Sequence, residues 1–271
     1  MPPFFSSNIK MIKDLDIYTW DPKLEKDIFF HRQRFKNHKV HHMYMDTELN
    51  YANIRPVFPK HLQELYDSPI EYKWNNETFR DYREFSEIND GHIAIGDSFT
   101  EGEGLPYNLL WHSKLQDYLG EPINNLGMCA TGFDEWFLVL LRFMDRFKGD
   151  KIFLLSHMFS RFAFPVKGYY MNPLHTELVK EVWENYIVSE EHTSYQYQIK
   201  LLALYELTRS RGKKLIVLNI HDIVGEETMK YNDWFYSQEE YKGKWELARD
   251  GKHLGPNFHD EVYRRFTTLL E

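Results

Sequence analysis

The chain holds one cysteine, Cys129, in 271 residues, so no internal disulfide can form and the fold does not depend on an oxidising compartment. Long apolar runs are missing: stretches such as 137–141 fall far short of the roughly 20 residues needed to cross a bilayer. The start, MPPFFSSNIKMIKDLDIYTW, lacks the basic-then-apolar order of a signal peptide. The expectation is a soluble, cytoplasmic protein with no membrane partner. Positive charge is also short, with 33 Lys and Arg against 41 Asp and Glu and a formal charge of −8, which leaves no basic field for a phosphate backbone. Nucleic acid is not an expected partner. No fixed-period repeat and no low-complexity tract occurs, which argues against solenoids and arrays.

Apolar residues are plentiful, at 42% hydrophobic and 17% aromatic, in a chain long enough to bury a core. The pattern changes along it. Residues 1–88 are rich in Lys, His, Asn and aromatics, with Pro56, Pro59 and Pro69 interrupting any long period. They read as an irregular, partly helical extension packed on the core. From 89 to 271, short apolar runs at 92–95, 122–126, 151–155 and 214–220 read as buried strands. Between and after them, 109–119, 133–147, 174–188, 194–211 and 258–270 have helical length and period, with Gly212 as a stop. Such alternation predicts an α/β fold: a three-layer α/β/α sandwich around a parallel, flavodoxin-like sheet, with ligands at the carboxyl ends of the strands.

The first strand runs directly into Gly96-Asp97-Ser98-Phe99-Thr100-Glu101-Gly102-Glu103-Gly104. A serine after a strand can present its hydroxyl at the top of a sheet, with backbone N–H groups of the next helix facing developing negative charge. The order G-x-S-x-T departs from the G-x-S-x-G elbow of α/β-hydrolases. An isolated serine here is most simply a helix cap. Near the end of the chain stands Asp250-Gly251-Lys252-His253. An aspartate three residues before a histidine can fix its tautomer and leave the other ring nitrogen as a base, although D-x-x-H alone is also an ordinary turn.

Together the blocks resemble the SGNH/GDSL hydrolase family: G-D-S-F-T after the first core strand, Gly127 within Asn124–Phe133 after the second, and D-x-x-H before the last helix. The resemblance spans roughly residues 75–271. It implies a Ser98 nucleophile, a His253 base with Asp250 behind it, and an oxyanion hole from the N–H groups of Ser98 and Gly127; no cofactor and no metal are expected. Ahead of the serine block, Asn76-Glu77-Thr78-Phe79-Arg80-Asp81 is similar to the N-x-x-G-F-R-D lead-in of some carbohydrate-esterase-like members, with Thr78 in the glycine's place. That similarity implies an ester substrate, an O-acetyl group on a carbohydrate.

One family feature is absent. The third strand leads not into G-x-N-D but into Ser156-His157-Met158-Phe159-Ser160-Arg161. Some divergent members carry a serine or threonine there with an arginine after it, which implies Ser156 as a substitute oxyanion donor and Arg161 as a contact for an acidic substrate group. An acyltransferase of the same fold, and a catalytically retired domain serving as a binding module, are the competing readings. The remaining candidates have plainer explanations. His31, His38, His41 and His42 lack carboxylate or cysteine at ligand spacing. Glu101 and Glu103 sit where a helix dipole favours acids. Cys129 has no basic neighbour in sequence, and His259 belongs to the last helix. The aromatics Phe159, Phe162, Phe164, Tyr169, Tyr170 and Trp183 lie on a connection that can cap a pocket.

Overall fold

Four short runs, three of them rich in apolar residues and one, Ile123–Asn125, ending in two asparagines, form the central sheet of the computed structural model: β1 (His92–Gly96), β2 (Ile123–Asn125), β3 (Lys151–Ser156) and β4 (Lys214–Asn219). The structure describes residues 36–41, 43–129, 131–156, 164–166, 169–171, 190–224 and 245–271. All pairings in this sheet are parallel, in the order β2-β1-β3-β4. That is the flavodoxin-like doubly wound order, whose switch point lies between β1 and β3. Parallel strands covered on both faces are apolar throughout rather than alternating, and β1 is buried along its whole length.

Helices supply both covers. On one face, α3 (Phe133–Phe143) presents Trp136, Val139, Leu140 and Phe143, the i, i+3, i+4, i+7 set of one helical stripe, to Ile93, Ile95, Ile152 and Leu154. On the other, α2 (Trp111–Leu119) and α6 (Pro256–Thr268) bring Trp111, Leu115, Phe258, Val262 and Phe266 onto Ala94, Phe153 and Leu155. Each of these fully buried side chains contributes about 2 kcal/mol of transfer free energy. The long α4 (Glu190–Ser210) precedes β4, and α5 (Ile220–Val224) follows it. No helix among the described residues is long and apolar enough to cross a membrane.

Element boundaries differ from the sequence pattern in instructive ways. The expected 109–119 helix begins at Trp111, because Pro106 first nucleates a 3-10 turn over Tyr107–Leu109. The 133–147 helix stops at Phe143 and tightens into a 3-10 turn. The last helix starts two residues early, at Pro256, whose missing N–H costs nothing in a first turn. The helix expected at 174–188 lies outside the described residues.

Upstream of β1, the described residues carry two seven-residue helices, Glu48–Ile54 and Lys60–Tyr66, and a two-residue ladder pairing Lys39–Val40 with Tyr72–Lys73. Met43, Ile70, Tyr72 and Trp74 form a small cluster of their own, and other apolar side chains of the segment join clusters of the α/β region. Phe79 and Phe85 join the α3 face of the sheet, while Tyr51, Phe58, Leu62 and Tyr66 close over Leu105, Leu110 and Ala248. Those last three flank the loops that follow β1 and precede α6, so this segment packs against the carboxyl end of the sheet.

Candidate active site

At the end of β1 the chain turns directly into a single helical turn, α1 (Ser98–Glu101). The cap comes from Asp97, whose carboxylate accepts the Phe99 N–H at 3.0 Å. Ser98 therefore takes the first helical position, with its hydroxyl not needed by the helix. Among the described residues its N–H has no acceptor.

The loop before α6 brings the other half. Asp250 Oδ1 accepts the N–H groups of Lys252 and His253, both at 3.0 Å, which curls the D-x-x-H segment into a turn. Asp250 Oδ2 then lies 2.5 Å from His253 Nδ1, and His253 Nε2 lies 2.8 Å from Ser98 Oγ. Phe99 packs edge-on against the imidazole, at 5.2 Å between ring centres. Ser98 and Asp250 are buried, and the His253 side chain keeps 17% exposure. Residues 155 apart in sequence thus form one continuous chain of hydrogen bonds, the arrangement that lets an imidazole take a serine proton.

Electrostatics follow from the burial. Desolvation alone would depress the His253 pKa, but the charges of Asp250 and Glu103 outweigh it and lift it to about 9. Desolvation works against the Asp250 carboxylate too, yet His253 and the two backbone N–H donors hold its pKa below the ordinary value. Asp250 is therefore a fixed negative charge on Nδ1, and the Nε2 side faces Ser98.

Two arginines hold the halves together. Arg80 is fully buried under the serine loop, where its guanidinium donates to the carbonyls of Glu101, Gly102 and Leu105 and lies over the Tyr72 ring at 4.3 Å. Its neighbour Asp81 accepts the Asn125 N–H at 2.9 Å at the end of β2. Arg249, directly before Asp250, donates to Asp46 at 2.8 Å, to Glu48 at 2.5 Å and to the Tyr66 carbonyl at 3.2 Å. Its N–H reaches the Gly104 carbonyl at 2.9 Å, tying the histidine loop to the serine loop. That contact requires glycine at 104, where φ is 76° and a Cβ would sit 2.8 Å from the Ala248 Cβ and 3.0 Å from Asp250 Oδ1. The Arg80-Asp81 pair stands inside the lead-in similar to N-x-x-G-F-R-D, a usable signal. Nothing in the pattern around Asp46 and Arg249 announces their pairing.

Several expected donors have other partners. The Gly127 N–H donates to Asn125 Oδ1 at 2.9 Å. A Cβ at Gly127 would lie 2.4 Å from the Glu101 nitrogen, so its smallness serves the packing of β2's exit against α1. Ser156, at the end of β3, bonds Tyr197 of α4 at 3.0 Å. Arg161 lies outside the described residues, as do Phe159, Phe162 and Trp183, and the side chains of Phe164, Tyr169 and Tyr170 are likewise not described.

Glu101 stands in the first turn of α1, as its place near a helix start implies, and both Glu101 and Glu103 are buried. Glu101 takes the Trp74 indole N–H at 3.0 Å and the Cys129 N–H at 2.5 Å. Glu103 lies past the left-handed end of α1, accepts the Met45 N–H at 2.6 Å, and sits 3.9 Å from His253 Nε2. Desolvation pushes its pKa up to about 7. Cys129 is half-buried beside it, with its thiol 3.6 Å from Glu103 Oε2. His259 is buried in α6, where its Nδ1 accepts the Trp111 N–H and desolvation keeps the ring neutral. It is a packing residue. His31 and His42 are not described, and His41 bonds the Ile70 carbonyl. Among the described residues, Glu103, Asp250 and His253 offer ligand atoms within 4.8 Å of one another. A cation there would compete with the hydrogen bonds from His253 to Asp250 and Ser98.

No family model and no curated protein matches the chain. Solved structures similar to it include a lipolytic protein of the G-D-S-L family from Desulfitobacterium hafniense DCB-2, with 13% identity, 66% of this chain and 98% of the other covered, and a TM-score of 0.40. TesA is similar at 12% identity, 68% and 98% coverage and a TM-score of 0.42. A G-D-S-L lipolytic family member from Veillonella parvula DSM 2008 is similar at 11% identity, 67% and 98% coverage and a TM-score of 0.34. The parallel sheet order β2-β1-β3-β4 is the flavodoxin-like order that the alternation of strands and helices in the sequence implies.

Proposed function

We propose that the protein is a serine esterase that cleaves carboxylic esters through an acyl-enzyme on Ser98. The observation that carries this is the 2.8 Å contact between Ser98 Oγ and His253 Nε2, with Asp250 2.5 Å from the other ring nitrogen. Ser98 Oγ attacks the ester carbonyl as His253 takes its proton, and Asp250 stabilises the imidazolium. The Ser98 N–H, at the start of α1, donates to the oxyanion. His253 then protonates the departing alcohol, and water enters to release the acid by the reverse sequence. Gly127 joins the oxyanion hole only if its N–H leaves Asn125. The finer proposal for the substrate is an O-acetyl ester on a carbohydrate, supported by the Asn76–Asp81 lead-in, with Arg161 proposed as a contact for an acidic group.

A second reading is a retired domain that binds without turning over. It is favoured by the commitment of Gly127 to Asn125 and of Ser156 to Tyr197, since the loss of one oxyanion donor costs about 3 kcal/mol of transition-state stabilisation. Turnover of p-nitrophenyl acetate separates the two. The esterase proposal expects hydrolysis that Ser98→Ala abolishes, and equal rates for both proteins would leave only the binding module.

A further inference from the structure

Glu103 is a buried carboxyl that the mechanism above does not use, although it faces the reacting nitrogen. One oxygen, Oε1, is pinned by the Met45 N–H at 2.6 Å. The other, Oε2, lies 3.9 Å from His253 Nε2 and accepts from the Cys129 thiol at 3.6 Å. Ser98 Oγ occupies the same nitrogen at 2.8 Å. Once Ser98 is acylated it no longer has a proton to share with Nε2, and the molecule that attacks the acyl group must take that place. Two acceptors 3.9 Å apart are spanned by a single oxygen with ordinary hydrogen bonds of about 2.8 Å to each, and Oε2 keeps a lone pair for it.

This inference rests on the esterase proposal and deepens it. We propose that Glu103 holds the second hydrogen of the deacylating water, so that the acyl group on Ser98 passes to water in preference to an alcohol. Water has two hydrogens: one goes to His253 Nε2 as its oxygen bonds the acyl carbon, and the other stays bonded to that oxygen while donating to Glu103 Oε2. The bond from the acyl carbon to Ser98 Oγ then breaks, His253 returns the proton to Oγ, and the acid leaves. Glu103 gains and loses no proton. An alcohol has one hydrogen, which Nε2 takes, so its alkyl group is left against a buried carboxylate with no donor to offer it. Leaving the site-facing side of that buried carboxylate without the donor that water supplies is the larger cost.

The discriminating measurement is the partition of one acyl-enzyme. Acetyl-Ser98 is formed from p-nitrophenyl acetate in the presence of methanol, above the Glu103 pKa of about 7, and the ratio of acetate to methyl acetate is read. That ratio does not depend on how much of the protein is folded or how fast it acylates. In Glu103→Gln the Met45 N–H keeps the amide oxygen at the Oε1 position, so an N–H donor faces the site instead of an acceptor. The expected result is a shift of about tenfold toward methyl acetate, the size of one hydrogen bond to a charged group. Glu103→Leu, which removes the acceptor without supplying a donor, is expected to shift the same way. Cys129→Ala leaves the ratio unchanged. Hydrolysis with the wild-type ratio in both Glu103 variants overturns the proposal and leaves the esterase standing. Absence of any acetate release by wild type, with no labelling of Ser98 by a fluorophosphonate, overturns the esterase and this inference with it.

Discussion

The two halves of the site are held by different physics. The serine half is a direct product of the sheet: β1 is buried along its length, Gly96 ends it, Asp97 caps the next turn, and Ser98 has nowhere else to be. The histidine half has no strand beneath it. It is a loop, 245–255, whose position is set by Arg249 bonding Asp46 and Glu48 and by backbone contacts to Gly104. The difference teaches that residues 36–88 are no ornament on an α/β core. Through Arg80, Asp46 and Met45 they fix the serine loop, the histidine loop and Glu103 respectively.

Breaking the chemistry gives the largest expected effect. Ser98→Ala and His253→Ala each lower kcat/KM for an aryl acetate by at least about a thousandfold with no change in circular dichroism, because residues acting as a unit are lost together. Breaking only the loop-holding half comes next. Asp46→Ala leaves Arg249 short of its buried partner, at a cost of about 3 kcal/mol in urea unfolding, and activity falls with the integrity of the loop. A loss well below 1 kcal/mol would show that the N-terminal segment does not anchor the histidine loop.

The pH profile sharpens the same comparison. His253 must be neutral to accept the Ser98 proton, and its pKa is lifted to about 9, so kcat/KM rises with pH toward that value. Glu103 contributes to the lift, so Glu103→Gln moves the rising limb to lower pH; a limb that stays in place would show that Glu103 does not act on His253. The smallest effect is expected at Thr78, a β-branched residue with φ of 71° in the turn that sends Arg80 under the serine loop. Thr78→Gly, the residue of the similar lead-in, should raise stability by about 1 kcal/mol in the same unfolding assay.

The same division governs what the sequence disclosed. Strands and helices of the core follow apolar period, so 92–95, 151–155 and 133–147 lie within a residue or a turn of the observed elements. The flavodoxin-like sheet follows from their alternation. Ser98, Asp250 and His253 stand in blocks whose order can be read. The long-range polar contacts were not legible, because no periodicity records that Arg249 pairs with a residue 203 positions away. Glu103 misled for a related reason. Its i, i+2 distance from Glu101 resembles a charged helix start, whereas the turn at Gly102 carries it past the helix and into the protein. The sequence points to Gly127 through its N–H, whereas its missing side chain is what lets β2's exit approach α1.

Ser98 is proposed to act as a nucleophile activated by His253. The most direct test of that role is fluorophosphonate labelling followed by peptide mass mapping of wild type and His253→Ala. One adduct is expected, on the peptide that carries Ser98, formed readily in wild type and at least about a hundredfold more slowly in His253→Ala. Labelling at another residue, no adduct on Ser98, or equal rates in the two proteins would contradict it.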